Sequence, residues 1–242
     1  MAEAKLNVEL IDFTQEALSI IYASCRQCYS SKFAGDIFNE DIDEEQKEEF
    51  VRKIAASGHE SPLEHVKFTF AIQGVSRALT HQLVRHRIAS YSQQSQRYVK
   101  EKGFDYIVPP SIEKNKKMKA EYLKVLDNIQ HSYNALLELY DQDGIRGEKA
   151  NEDARFVLPQ AAETKIVVTM NARQLLHFFK ERCCTRAQWE IRALANEMLQ
   201  LCKEKLPSIF GKNSGPKCET LKFCPEGEKF ACGKYPVLTE IK

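Results

Sequence analysis

Two runs of strand-forming residues, each broken by a capping side chain and continued as helix, constrain this chain more than any other feature. In the first, Val66, Phe68, Phe70 and Ile72 alternate with Lys67, Thr69 and Ala71 up to Gly74. Ser76 can then cap a helix carrying Leu79, Leu83 and Val84. In the second, Lys165–Met170 is a β-branched strand, and Asn171 can cap the helix after it. An opening strand with Leu6, Val8 and Leu10 passes into helical spacing from Thr14 through Leu18, Ile21 and Cys25. The acidic run 40–49 leads into a helix with Phe50, Val51 and Ile54, closed by Gly58. Longer helices are predicted over 117–140 and 185–205, and a polar loop over 90–97. Separated strands with long helices and no regular βαβ rhythm predict an α+β fold. We expect an antiparallel-rich central sheet flanked by long helices, a single domain over 1–210, and a loosely structured Cys/Lys/Gly-rich tail over 211–242.

Composition narrows the function classes. Thirty-five Lys+Arg against 34 Asp+Glu leave a net charge of +1 over 242 residues. A nucleic-acid-coating protein carries a clear basic excess, so no nucleic acid polymer is expected as partner. No apolar run reaches the ~18 residues of a membrane span, and Met1–Leu6 carries no signal-peptide core, so a cytoplasmic protein without membrane attachment is expected. Eight cysteines in a chain this long read as reduced thiols rather than a secreted disulfide framework. Cys25-x-x-Cys28 falls inside a helical pattern, unlike a redox pair at a helix start. Cys218, Cys224 and Cys232 lack the paired short spacings of a zinc ribbon, leaving packing thiols or a metal as their alternatives. His59, Glu60, Glu64 and His65 do not follow H-E-x-x-H, and Pro62 interrupts the helix such a site needs, so no metal is expected there.

Charge distribution is more informative than total charge. From His65 to Lys100 there is no Asp or Glu, where the average frequency would give about five. Within that stretch, Arg85-His86-Arg87 and Arg97 bracket Ser90-Tyr-Ser-Gln-Gln-Ser-Gln96, a run of neutral hydrogen-bonding side chains. Guanidinium groups match phosphate oxygens with two parallel donors, and Ser and Gln can read a base or sugar. The plain alternative is a solvated helix end where cations suit the dipole. Arg155, Arg173, Arg182 and Arg186, without adjacent matching carboxylates in sequence, extend the anion reading. No Gly-rich phosphate loop is present, so a nucleotide must be held another way.

Arg85-His86-Arg87, seven residues, then Ser95 resembles the R-H-R-x7-S signature of the flavin-dependent thymidylate synthases. Three further blocks resemble that family in its order: Gly58-His-Glu-Ser-Pro62-x-Glu64-His65, Ala154-Arg155-x-x-Leu158-Pro159, and Asn171-Ala-Arg173…Arg182…Ala187-Gln188-x-Glu190. The resemblance implies methylation of dUMP to dTMP without an enzyme nucleophile. Methylenetetrahydrofolate would give the one-carbon unit, and FAD, reduced by NADPH, the hydride. It implies dUMP contacts from Gln82, Arg85, Gln93, Gln94, Ser95, Gln96, Arg97, Arg155 and Arg182, with Arg182 catalytic through the ionised uracil N3. It implies an FAD site of Ser61, Arg85, His86, Arg87, Gln93, Asn171, Arg173 and His177, with His59 ordering water nearby. It also implies a homotetramer with shared sites.

Gln93 stands where the family often has an acid, and His177 where it often has Asn; both keep hydrogen bonding. Ser95 has no general base at an obvious spacing, so it is expected to bind rather than attack. Two other function classes compete with this one. An RNA-binding module would show a dominant basic face and an RRM, KH or zinc-finger pattern, all missing here. A cysteine-nucleophile synthase would show Pro-Cys-His-Gln-Arg, which does not occur.

Overall fold

Both predicted strand-to-helix junctions form. The Ser76 hydroxyl accepts the Leu79 backbone N–H at 3.0 Å, and the Asn171 side chain accepts that of Gln174 at 2.8 Å. The computed structural model describes residues 1–211 and 214–238. In chain order the first elements are β1 (Asn7–Phe13), α1 (Ala17–Gln27), α2 (Ala34–Phe38), α3 (Glu44–Ala56), β2 (Lys67–Ser76), α4 (Arg77–Leu83) and β3 (Ala89–Gln93). There follow α5 (Pro110–Glu113), α6 (Lys116–Gln142), α7 (Glu148–Ala154), β4 (Glu163–Asn171), α8 (Ala172–Arg182), α9 (Trp189–Lys205), α10 (Pro207–Phe210) and α11 (Lys217–Leu221). The strands form an antiparallel sheet in the order β1-β2-β4-β3, and the fold is α+β as expected.

The chain contributes to two compact units and enters each more than once. The first holds residues 1–7, 71–85 and 91–167. Its core is α6 against α7, where Tyr133, Leu137, Ala150 and Ala154 pack, with Phe104, Leu126 and Ala162 beside them. Burying each of these larger side chains is worth about 1.5–3 kcal/mol. The second unit holds 8–70, 86–90 and 168–242. There Phe68 meets Phe210 edge-on at 5.5 Å, and Phe179 meets Phe210 at 5.9 Å. The Thr69 and Thr169 hydroxyls pair at 3.0 Å, joining β2 to β4.

Four local expectations change. β2 does not stop at Gly74 but continues to Ser76. Gly74 sits at φ +69°, and a Cβ there would lie 1.8 Å from the Lys5 carbonyl oxygen, so only glycine lets the strand pass. The start of the polar loop is strand β3; its side chains alternate between exposed and half-buried without an apolar face, so no hydrophobic period announces it. The tail is more ordered than expected: it carries α11, a 3-10 turn at Glu228–Phe230 and a bridge between Cys224 and Val237. The helix expected from residue 185 begins instead at Trp189, where the Gln188 side chain accepts the N–H groups of Glu190 and Ile191.

Candidate active site

In the first unit, Arg77 opens α4 directly after β2, and its Nη1 donates to the Gln94 carbonyl at 3.4 Å. Burial, and then the charge of Arg155, push the Arg77 guanidinium below its ordinary range. The Glu101 carboxylate offsets part of that effect on Arg77. Arg155 itself donates from Nε to the Glu152 carbonyl at 3.1 Å. The amide of Gln93 donates to the Thr80 and Thr164 hydroxyls, both at 3.2 Å, which fixes the end of β3. The Ser95 hydroxyl accepts the Arg97 backbone N–H at 3.2 Å, a turn-stabilising role. Gln94 is half-buried, Gln96 is buried, and Gln82 is half-buried on α4. Arg85 is exposed, with no carboxylate partner among the described residues.

Arg97 corrects the acid-free reading. The stretch lacks acids in sequence, yet α7 supplies Glu148 and Glu152 to the Arg97 guanidinium, the latter at 3.2 Å. Asn151 also donates to the Arg97 carbonyl at 2.9 Å. Helix α7 is a neighbour created by folding, invisible to a count along the chain.

In the second unit, His86 is 7% exposed and meets Gln174, His177, Phe178 and Arg182 of α8. Its Nε2 accepts from Arg182 Nε at 3.0 Å, and its Nδ1 lies 3.4 Å from the Gln174 amide. The Phe178 ring packs edge-on at 4.9 Å. Gln174, Phe178 and Arg182 recur every four residues, so one stripe of α8 holds the imidazole. Burial, then the charges of Arg182 and His177, push the His86 pKa down to about 4. The ring is therefore neutral at pH 7, and its acceptor nitrogen orients a guanidinium that has no carboxylate partner among the described residues.

The remaining predicted residues fall less uniformly. Arg87, Ser61 and His177 are exposed, and Asn171 serves as the cap of α8. Arg173 departs from the unpaired reading: it bonds Glu64 and, at 3.3 Å, Glu60. Arg186 likewise lies 3.9 Å from Glu226 and stacks over Phe230 at 3.8 Å. His59 has its Nδ1 3.6 Å from Cys25 Sγ, an arrangement its sequence position did not suggest. Sequence reasoning assigned no role to Arg77, Thr80, Thr164 or Gln174. The four-residue spacing from Gln174 to Arg182 was the available signal for the last.

The family profile "Thymidylate synthase complementing protein" matches residues 9–208. A flavin-dependent thymidylate synthase of Nitratidesulfovibrio vulgaris is 56% identical over 241 residues, covering 98% of each chain. That of Clostridium tetani is 47% identical, covering 98% of this chain and 96% of its own. A UMP/dUMP methylase from Streptomyces cacaoi, solved with 5-bromo-dUMP, shares the fold at a TM-score of 0.73 and 24% identity, over 86% of this chain and 94% of its own. The four sequence blocks and these matches converge: the chain belongs to the flavin-dependent thymidylate synthase family.

Proposed function

We propose that this protein converts dUMP to dTMP, with methylenetetrahydrofolate as one-carbon donor and NADPH as reductant of bound FAD. The observation that carries the reading is Arg182, a guanidinium oriented by a neutral imidazole and unmatched by a carboxylate among the described residues. Such a cation can be satisfied by an anion that forms on the substrate. Placed at the uracil ring, it favours the ionised N3 and so raises the carbon nucleophilicity of the ring. Carboxylate-paired Arg173 could not supply that charge as fully, because Glu60 and Glu64 already offset it.

The other roles follow from chemistry. Arg77 and Arg155 provide charge for the dUMP phosphate, a use of Arg77 that the family motifs alone do not suggest. Arg85 and the segment Gln93–Arg97 supply donors and acceptors for sugar and base, with Ser95 and Gln82 binding rather than attacking. The residues present also fit a flavin dinucleotide. Arg85 and Arg87 are exposed without carboxylate partners among the described residues, a donor set suited to a pyrophosphate. Ser61, His86, Gln93, Asn171, Arg173 and His177 complete the set that would hold FAD. When bound and reduced, FAD supplies the hydride that completes the methyl group.

We further propose a cytoplasmic homotetramer with sites completed by neighbouring subunits. Phe156, beside Arg155, is 83% exposed, and Ile88, beside Arg87, is 69% exposed. Large apolar groups next to ligand-binding cations suit a subunit contact. Among the described residues no helix is long and apolar enough to cross a membrane.

The experiment is incubation with FAD, NADPH, methylenetetrahydrofolate and dUMP. Formation of dTMP with tetrahydrofolate supports the proposal; dihydrofolate as the stoichiometric product would sink it, because folate would then be the hydride donor. Light scattering should report four chains. Mixing Arg87→Ala with Arg182→Ala should restore activity if subunits exchange, and a flavin-loaded monomer would contradict shared sites.

A further inference from the structure

The second unit contains a cleft of about 240 Å³ that the reaction above does not use for its thiols. Four cysteines line it: Cys184 from the turn between α8 and α9, and Cys218, Cys224 and Cys232 from the tail. The tail is pinned beside that turn. Lys217 of α11 pairs with Glu181 at 3.0 Å, and Arg186 stacks on Phe230. Thr185, the neighbour of Cys184, lies close enough to Cys232 for its hydroxyl to favour the thiolate there.

These thiols are not equivalent. Cys232 is exposed, while Cys218 and Cys224 are buried and Cys184 is half-buried. The Lys234 backbone N–H and then the Thr185 hydroxyl favour the Cys232 thiolate, placing it below the ordinary thiol range. Burial does the opposite elsewhere in the chain and pushes Cys183 up to about 12. One accessible sulfur sharing a cleft with three less exposed thiols is the arrangement of an attacking and a resolving cysteine. A metal is the other use four cysteines suggest. Among the described residues, however, no three His, Cys, Asp or Glu side chains are placed to hold one.

We propose that Cys232 is a peroxide-reactive thiol and that Cys184 resolves it, tying the tail to the α8–α9 turn through a disulfide. In the first step the Cys232 thiolate attacks one oxygen of a peroxide. An S–O bond forms as the O–O bond breaks, and the leaving oxygen takes a proton, giving the sulfenic acid and an alcohol or water. In the second step the Cys184 sulfur attacks the sulfenic sulfur. The S–S bond forms, the hydroxyl leaves as water with the Cys184 proton, and the peroxide has been reduced by the two thiols. Joining this turn constrains the residues directly after Arg182, at the foot of α8.

The test uses the full-length, flavin-loaded protein. After exposure to hydrogen peroxide, free thiols are alkylated and peptides mapped by mass spectrometry. A Cys184–Cys232 cross-link reversed by dithiothreitol is expected, with two fewer alkylated thiols than the eight of the reduced chain. Cys184→Ser should stop at a sulfenic acid on Cys232 that dimedone traps. Cys232→Ser, an exposed change that leaves basal turnover unaltered, should slow peroxide consumption about tenfold or more. A bond from Cys232 to another cysteine, undiminished peroxide reactivity in Cys232→Ser, or one tightly held zinc per chain protecting these thiols would each overturn the proposal.

Discussion

Arg97 and Arg182 are both arginines from family motifs, yet the regions around them treat charge in opposite ways. Around Arg97, α7 supplies two carboxylates, and the Asn151 amide holds the backbone. Around Arg182, the neutral His86 supplies an acceptor nitrogen, and the α8 stripe adds an amide and a phenyl ring that hold that imidazole. The first region fixes a loop with charge that is already offset. The second leaves a positive charge without a carboxylate partner among the described residues, which the proposed function uses for an anion that forms during reaction. An electrostatic contribution to rate requires the second arrangement, because only charge unmatched in the ground state gains a partner in the transition state.

The largest test of that contrast is Arg182→Ala. Turnover should fall about 30- to 1000-fold, equivalent to about 2–4 kcal/mol of barrier, while the visible flavin spectrum is retained. Unchanged turnover with dUMP bound would erase the distinction between the two arginines.

Acid should dissolve the second region before the first. The His86 pKa is depressed from an ordinary 6.5 to about 4, so its neutral form is the one the fold favours. The stability this contributes is fully present above about pH 6.5 and is lost as pH falls toward 4, reaching up to about 3 kcal/mol. Urea midpoints measured across that window should fall with pH in the parent and much less in His86→Gln. Gln retains an acceptor for Arg182, so its turnover should exceed that of His86→Ala.

Smaller effects sharpen the boundary of the first region. Arg77→Gln should weaken dUMP binding about tenfold, close to 1.4 kcal/mol, with little change in kcat, as calorimetry and steady-state kinetics can separate. Arg97→Ala combined with Glu148→Gln in a double-mutant cycle should show a coupling below about 1 kcal/mol, because the pair is about two-fifths exposed. Ser95→Ala should change turnover least; loss of all activity would restore the nucleophile reading.

Much of the fold was legible where local chemistry decides it. Ser76, Asn171 and the alternation from Val66 to Ile72 placed both junctions, because a cap and a period-two pattern act within a few residues. The long helix over 117–140 emerged as Lys116–Gln142 for the same reason, with Asn115 as its cap. The site was legible as motifs but not as pairings. Glu148 reaches Arg97 across 51 residues, and Glu60 reaches Arg173 across 113. Such partners are brought together by tertiary packing, which no count along a chain can see. β3 escaped notice because an edge strand of Ser, Tyr and Gln carries no hydrophobic period. The tail escaped because its order comes from ion pairs such as Lys234–Glu219 and from one bridge, rather than from an apolar face.

The way the chain alternates between its two units bears on how the protein can be made. Residues 8–70 belong to a unit whose other half begins at 168, whereas the other unit is complete once residue 167 has been joined. On the ribosome, β2 can pair with β1 and Phe68 can meet Phe13 early, but β4 and Phe210 arrive only after about a hundred further residues are added, at roughly 5–20 residues per second. A cell short of chaperones, or a fragment ending before β4, would leave that phenylalanine-rich strand with β1 alone beside it. Aggregation of nascent chains, rather than loss of chemistry, is then the first failure to look for in truncated forms.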